Sequence, residues 1–213
     1  TYFRELYRRK LQGQNFNLQD PKLKSNISKD LLNPVFSAYV TRDLITPAIK
    51  FSVGPYQYVK DRGYSFEQQL NENTGRIFND RLQDYIHEES NGRIPIGLFC
   101  STVSQDGRKL MICTQPITFL MRPSIDSTHG ITAEPDAIDY GTYFKHLNPY
   151  NIRILSALRM NATFPYVLPN VWLPTKPIVD VMDAGLRDNY GQEITLRFLH
   201  VFREWSQNNT SGV

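Results

Sequence analysis

The chain has 213 residues with 24 basic and 21 acidic side chains, a net charge of +3, 40% hydrophobic and 21% charged content. This composition fits one globular domain and excludes a disordered chain. The charge balance is too even to point to a nucleic acid partner, and no run reaches the roughly 18–20 apolar residues that span a bilayer.

The opening segment TYFRELYRRK carries no apolar signal-peptide core and reads as a helix over residues 2–11. Tyr2, Phe3, Leu6, Tyr7 and Leu11 fall at helical spacing, and Arg8-Arg9-Lys10 is expected to be its solvated face. Residues 12–25 read as a polar loop, and Ser28 as a cap on a short turn. Asn33-Pro34 predicts an N-cap and a first-turn proline, opening a helix with Val35, Phe36, Tyr39, Val40 and Leu44 inward. Residues 47–62, rich in Pro, Gly and aromatics, receive no assignment. Ser65 to Gln68 reads as a capping box, and Ile77–Ile86 as a further helix with Ile77, Phe78, Leu82 and Tyr85 apolar.

The run IPIGLFCSTV (94–103) is a strand apolar enough for burial on both faces. RKLMICT (108–114) returns after Asp106-Gly107, a pair that favours a two-residue hairpin turn. That register sets Cys100 opposite Cys113, which are expected to be two free thiols rather than a disulfide. Residues 121–142 read as loop. NIRILSALRM (151–160) predicts a helix, and 192–205 a final one with Ile194, Phe198, Val201, Phe202 and Trp205 apolar. Alternating strands and helices predict an α/β class, a layered sheet flanked by helices.

Between the last strand and the last helix lies VDVMDAGLRDNYG (179–191). An apolar run delivers Asp183 to the end of a strand and follows it with Ala184-Gly185, small residues that admit close approach. A carboxylate there is either a turn cap that accepts backbone N–H groups or a catalytic group. Asp180 lies three residues earlier and so on the opposite strand face, so a metal site shared by Asp180, Asp183 and Asp188 requires a bend. Asp188-Asn189 reads as a turn or helix cap. No Gly-x-Ser-x-Gly elbow, Cys-x-x-Cys or phosphate-binding glycine loop occurs, and His87, His129, His146 and His200 are scattered without metal-ligand spacing.

The order of three segments resembles the second half of patatin-like phospholipases. The strand and hairpin IPIGLFCSTVSQDGRKLMICT come first. The segment Asn161-Ala162-Thr163-Phe164-Pro165 then stands at the family's Ala/Ser/Pro position, and Asp183-Ala184-Gly185, with Asn189 after it, at the Asp-Gly-Gly position. TYFRELYRRK looks like the helix that leaves the family's Gly-x-Ser-Gly-Gly elbow. The resemblance covers 94–205 and extends to 1–12, with 26–90 a helical insertion in a single domain fragment shortened at its N-terminus. It implies a Ser–Asp dyad that splits acyl esters of lipids, Asp183 as general base, no cofactor and no metal. The serine would lie upstream, and the isolated chain would be inactive. The implied partners are a lipid or acyl-ester substrate, a membrane surface, and a second copy or a complementary N-terminal half, with a cytoplasmic or membrane-associated location and no nucleic acid. Ala184 departs from the usual glycine and argues against a positive φ there. The competing reading is a binding module in which Asp183 is structural.

Overall fold

Two short strands whose residues are nearly all buried, β3 (Phe99–Val103) and β4 (Lys109–Ile112), pair antiparallel at the centre of a five-stranded sheet. β5 (Ala137–Asp139) adds to β4 in parallel, β7 (Asp180–Met182) adds to β3 antiparallel, and β6 (Val171–Trp172) closes the other edge, in the order β5-β4-β3-β7-β6. The computed structural model describes residues 1–45, 49–53, 56–123, 134–173, 175 and 178–211, with Tyr56 described by its backbone alone.

Both faces of the sheet are covered, which is why nearly every residue of β3 and β4 is buried. On one face Phe99, Val103, Leu110, Ile112 and Val181 pack with Leu6 of α1 (Tyr2–Leu11) and with Ile154, Leu155 and Met160 of α7 (Ile154–Asn161). On the other, Met111, Cys113 and Ala137 meet Ile117, Leu120 and Ile194, the last on α9 (Gln192–Val201). The α/β layered class therefore holds, as a mixed sheet. No helix among the described residues is long and apolar enough to cross a membrane.

Several local expectations shift. Arg8 is buried rather than solvated. Its guanidinium binds Asp80 at 2.6 Å, Glu88, and the Asp84 carbonyl at 3.1 Å, and it lies 4.2 Å over the Tyr85 ring. A planar fork with several donors can be fully satisfied indoors, which a sequence pattern of basic residues does not reveal. The polar stretch 12–25 contains the start of α2 (Pro21–Ile27), capped by Asp20, which accepts the Lys22 N–H; Ser28 ends that helix. In α3 (Leu32–Ala38) the capping carboxylate is Asp30 rather than Asn33. Only Val35 and Ala38 of this segment are buried, while Phe36, Tyr39, Val40 and Leu44 face outward, the last three in or beside the π-helical turn Tyr39–Asp43.

The unassigned 47–62 region holds a hairpin, β1 (Lys50–Val53) with β2 (Tyr56–Val59). α4 (Arg62–Asn73) starts three residues before the expected capping box, because Asp61 accepts the Tyr64 N–H. Ile77, Phe78, Leu82 and Tyr85 are all buried, but on an irregular stretch and a 3-10 turn (Leu82–Tyr85) leading into α5 (Ile86–Ser90), not one helix. Within 121–142, β5 and α6 (Tyr140–Tyr143) replace part of the expected loop; Asp139 caps that helix. The β3–β4 hairpin closes over Ser104–Gly107 rather than two residues, with Gly107 at φ 72°. This slips the register by two and pairs Cys100 with Met111, not Cys113; both thiols are free. The final helix divides into α9 and α10 (Arg203–Asn209), and of its apolar positions only Ile194 is buried.

Candidate functional site

Asp183 follows the last residue of β7, so its backbone position is set by the sheet while its side chain enters the turn to α8 (Gly185–Asp188). Three segments meet at this one residue. Its N–H donates to the Thr163 carbonyl at 3.1 Å, and its carbonyl accepts the Thr102 hydroxyl at 2.9 Å. Thr102 lies near the end of β3, and Thr163 is fully buried just past α7, its hydroxyl bonded to the Arg159 carbonyl. Asn161, at the end of α7, accepts the Cys100 N–H at 2.9 Å and so locks that helix to β3. Thus the strand, the Asn161–Pro165 segment and the Asp183–Gly185 segment form one joint. Thr102, Thr163 and Asn161 are its supports.

The half-buried Asp183 carboxylate accepts the Gly185 N–H through Oδ1 at 2.6 Å. Among the described residues Oδ2 accepts no hydrogen bond, so one oxygen holds the geometry and the other is uncommitted. Ala184 has φ −61°, as its side chain requires. Gly185 is small for a different reason. A Cβ there would stand 2.7 Å from Asp183 Oδ1 and 2.8 Å from Asn189 Oδ1. The small residue thus lets the carboxylate and the Asn189 amide close over the turn.

The other acids of the segment are employed elsewhere. Asp188 accepts the Glu193 and Ile194 N–H groups and caps α9, as its helix-cap reading expected. Asp180 accepts the Asn170 amide at 3.0 Å. The three aspartates therefore point to separate partners, and among the described residues no cluster of three or more His, Cys, Asp or Glu converges on a metal position. His87, His146 and His200 are exposed, while His129 lies outside the described residues. Burial, with the Asp188 charge adding to it, pushes the Cys100 thiol up to about 11, and burial raises Cys113 as well, so neither thiol is primed as a nucleophile.

Sequence reading did not find the charged joint below α9. Lys109 is 1% exposed in its side chain yet reaches Asp136 at 3.3 Å and Glu193 at 2.7 Å. Arg197, also buried, grips Asp136 with two nitrogens at 2.7 and 2.6 Å and pairs with Glu193. Burial alone would raise Asp136, but hydrogen bonds from Arg197 and the Lys109 charge hold it below the usual carboxylate range; Glu193 is held low by Lys109 in the same way.

A concavity of about 450 Å³ lies between α4, α7, the β1–β2 hairpin and β6, with Glu67, Arg159 and Ser156 among its lining. Asp183 is not part of it.

No protein-family model, no curated protein and no solved structure matches the chain.

Proposed function

We propose that this chain is the second half of a patatin-like lipid acyl hydrolase in which Asp183 is the general base of a Ser–Asp dyad. The observation that carries the reading is the division of labour within one carboxylate. Oδ1 is fixed by the Gly185 N–H, and Oδ2 is left uncommitted among the described residues at the end of a sheet strand. A general base needs that arrangement, because it must be rigid and still have an acceptor within hydrogen-bonding reach of a hydroxyl. The convergence of the three resembling segments on Asp183 supports the reading further. The nucleophile would come from residues outside this sequence, since its 213 residues contain no Gly-x-Ser-x-Gly, and the chain alone is expected to be inactive. The substrate would be a carboxylic ester of a lipid.

The Gly185 hydrogen bond also favours a second reading, a binding module in which Asp183 only closes its turn. One substitution separates the two. Asp183→Asn keeps an Oδ1 acceptor for the turn but removes the basic carboxylate. In protein that includes the segment encoded before Thr1, it should lower hydrolysis of a p-nitrophenyl acyl ester by roughly three orders of magnitude or more and leave the melting temperature nearly unchanged. An active Asp183→Asn protein, or an upstream sequence without a serine elbow, overturns the hydrolase reading.

A further inference from the structure

We infer that the outward face of α3 and its π-helical turn is a docking surface for an anionic lipid bilayer. The face is apolar where a water-facing helix should not be. Phe36, Val40 and Leu44, at successive four-residue steps, are 58%, 57% and 63% exposed, and Leu32, Tyr39 and Ile45 extend the same surface. The opposite side of the helix is already used, since Val35 and Ala38 are buried. Packing within the described chain therefore buries two apolar residues and leaves six exposed, of which Tyr39 alone carries a side chain over its ring, that of Arg62. An uncovered apolar group of this size marks a surface with a partner.

Charge selects the partner. Residues 22–62 contain seven basic residues (Lys22, Lys24, Lys29, Arg42, Lys50, Lys60 and Arg62) against three acidic ones (Asp30, Asp43 and Asp61), a local net of +4 in a chain whose total is +3. Lys22, Lys24 and Lys29 are exposed and form no ion pair among the described residues. They belong to α2 and to the short link that joins it to α3. Exposed apolar residues flanked along the chain by lysines that form no ion pair among the described residues suit a surface with a hydrocarbon interior and negative headgroups. A protein partner matched only to the apolar stripe would leave the lysines unexplained.

The face is also mechanically joined to the Asp183 region. Arg62 lies 5.1 Å over the Tyr39 ring, pairs with Asp43 at 2.8 Å, and donates to the Val167 carbonyl at 2.8 Å. Its target turn carries Tyr166, a non-glycine residue at φ 69° that is 98% exposed. The same turn begins at Thr163, which holds the Asp183 N–H. Docking would thus bring Tyr166 to the bilayer interface, where an amphipathic ring is well placed. Bilayer binding itself does not depend on the hydrolase reading.

The test is vesicle co-sedimentation of the 213-residue chain. Mixed phosphatidylcholine–phosphatidylglycerol vesicles should bind at least about ten-fold more tightly than pure phosphatidylcholine, with the difference falling as salt rises. Phe36→Ser, Val40→Ser and Leu44→Ser together should weaken binding roughly a hundred-fold without lowering the melting temperature, since all three face outward. Lys22→Gln, Lys24→Gln and Lys29→Gln should remove the preference for the anionic vesicle. Leu196→Ser, Leu199→Ser and Trp205→Ser, on the exposed side of α9 and α10, should change neither. Absence of binding overturns the inference, as does loss of binding with the α9–α10 set alone. A dimer in sedimentation velocity that dissolves with the α3 set, without vesicle binding, assigns the face to a second copy and equally overturns it.

Discussion

At Gly185 two ordinary effects oppose each other, and their balance reports on Asp183. Replacing a helical glycine by alanine where there is room stabilises by about 0.4–1 kcal/mol, because the unfolded chain loses freedom. Here there is no room: the new Cβ would meet Asp183 Oδ1 at 2.7 Å and Asn189 Oδ1 at 2.8 Å. Asn189 is exposed and can swing away, but Asp183 Oδ1 is tied to the Gly185 N–H. The carboxylate must give way and lose a hydrogen bond worth on the order of 1 kcal/mol. Gly185→Ala is therefore expected to be neutral or destabilising by up to about 1 kcal/mol in urea unfolding, and to perturb the amide resonance of residue 185. A gain in stability would show that the turn opens freely and that Asp183 is not held as described. Much of this was legible in the sequence. Asp183 at a strand end, the small residues after it and the non-positive φ of Ala184 follow from residue types alone. The supporting roles of Thr102 and Thr163 are not legible there, because a threonine in an apolar strand or turn carries no local sign of the distant backbone it will bond.

Among the elements, α9 shows how far periodicity leads and where it fails. The apolar spacing of 192–205 announces a helix, yet the residue that sits against the sheet beside Ile194 is Arg197. It can be buried because Asp136 and Glu193 complete its hydrogen bonds, and Lys109 joins them from β4. Such pairs are visible only once the chain has brought residues 109, 136 and 197 together. The apolar stripe of α3 misled for the mirror reason: periodicity gives the existence of a face, not the side that the rest of the molecule covers. Asp136→Asn should leave two buried cations undercompensated and cost about 3–5 kcal/mol near neutral pH. The sign with pH follows from the depressed Asp136 and Glu193 carboxyls. Their stabilisation is complete above the unfolded carboxylate range near pH 4 and is lost as pH falls through the lower folded values. The gap in unfolding free energy between the natural chain and Asp136→Asn should therefore be constant from about pH 6 to 8 and narrow steadily below about pH 4. A gap that is flat down to pH 3 would mean that Asp136 is not the charge that holds α9.

For the whole molecule, exposed strand edges are the usual hazard of an open sheet, and here the edges are short. β5 and β6, the outermost strands, have three and two residues, too little ladder to template another chain well. Much of the uncovered apolar surface lies on helices, on α3 with its π-helical turn and on α9–α10, alongside Trp172 on β6 and loop residues such as Phe164 and Ile178. The two helical surfaces differ in how they bear on stability. α9 is pinned through Arg197 and Ile194, whereas α10 has no buried residue at all and contributes exposed Trp205. An element that buries nothing cannot add much to the free energy of folding, whatever its own helical propensity, because most helical stability in proteins comes from tertiary packing. Ending the chain after Phe202 keeps the Phe119–Phe202 ring contact at 5.5 Å and removes only α10 and the residues beyond it. The melting temperature should then move by less than about 2 °C, the equivalent of at most about 1 kcal/mol for a domain of this size. Ending it after Gly191 removes Arg197 as well, and should unfold the domain or lower its melting temperature by about 10 °C or more. Equal effects from the two truncations would place the load on α10, and α9 would no longer be the element that closes this side of the sheet.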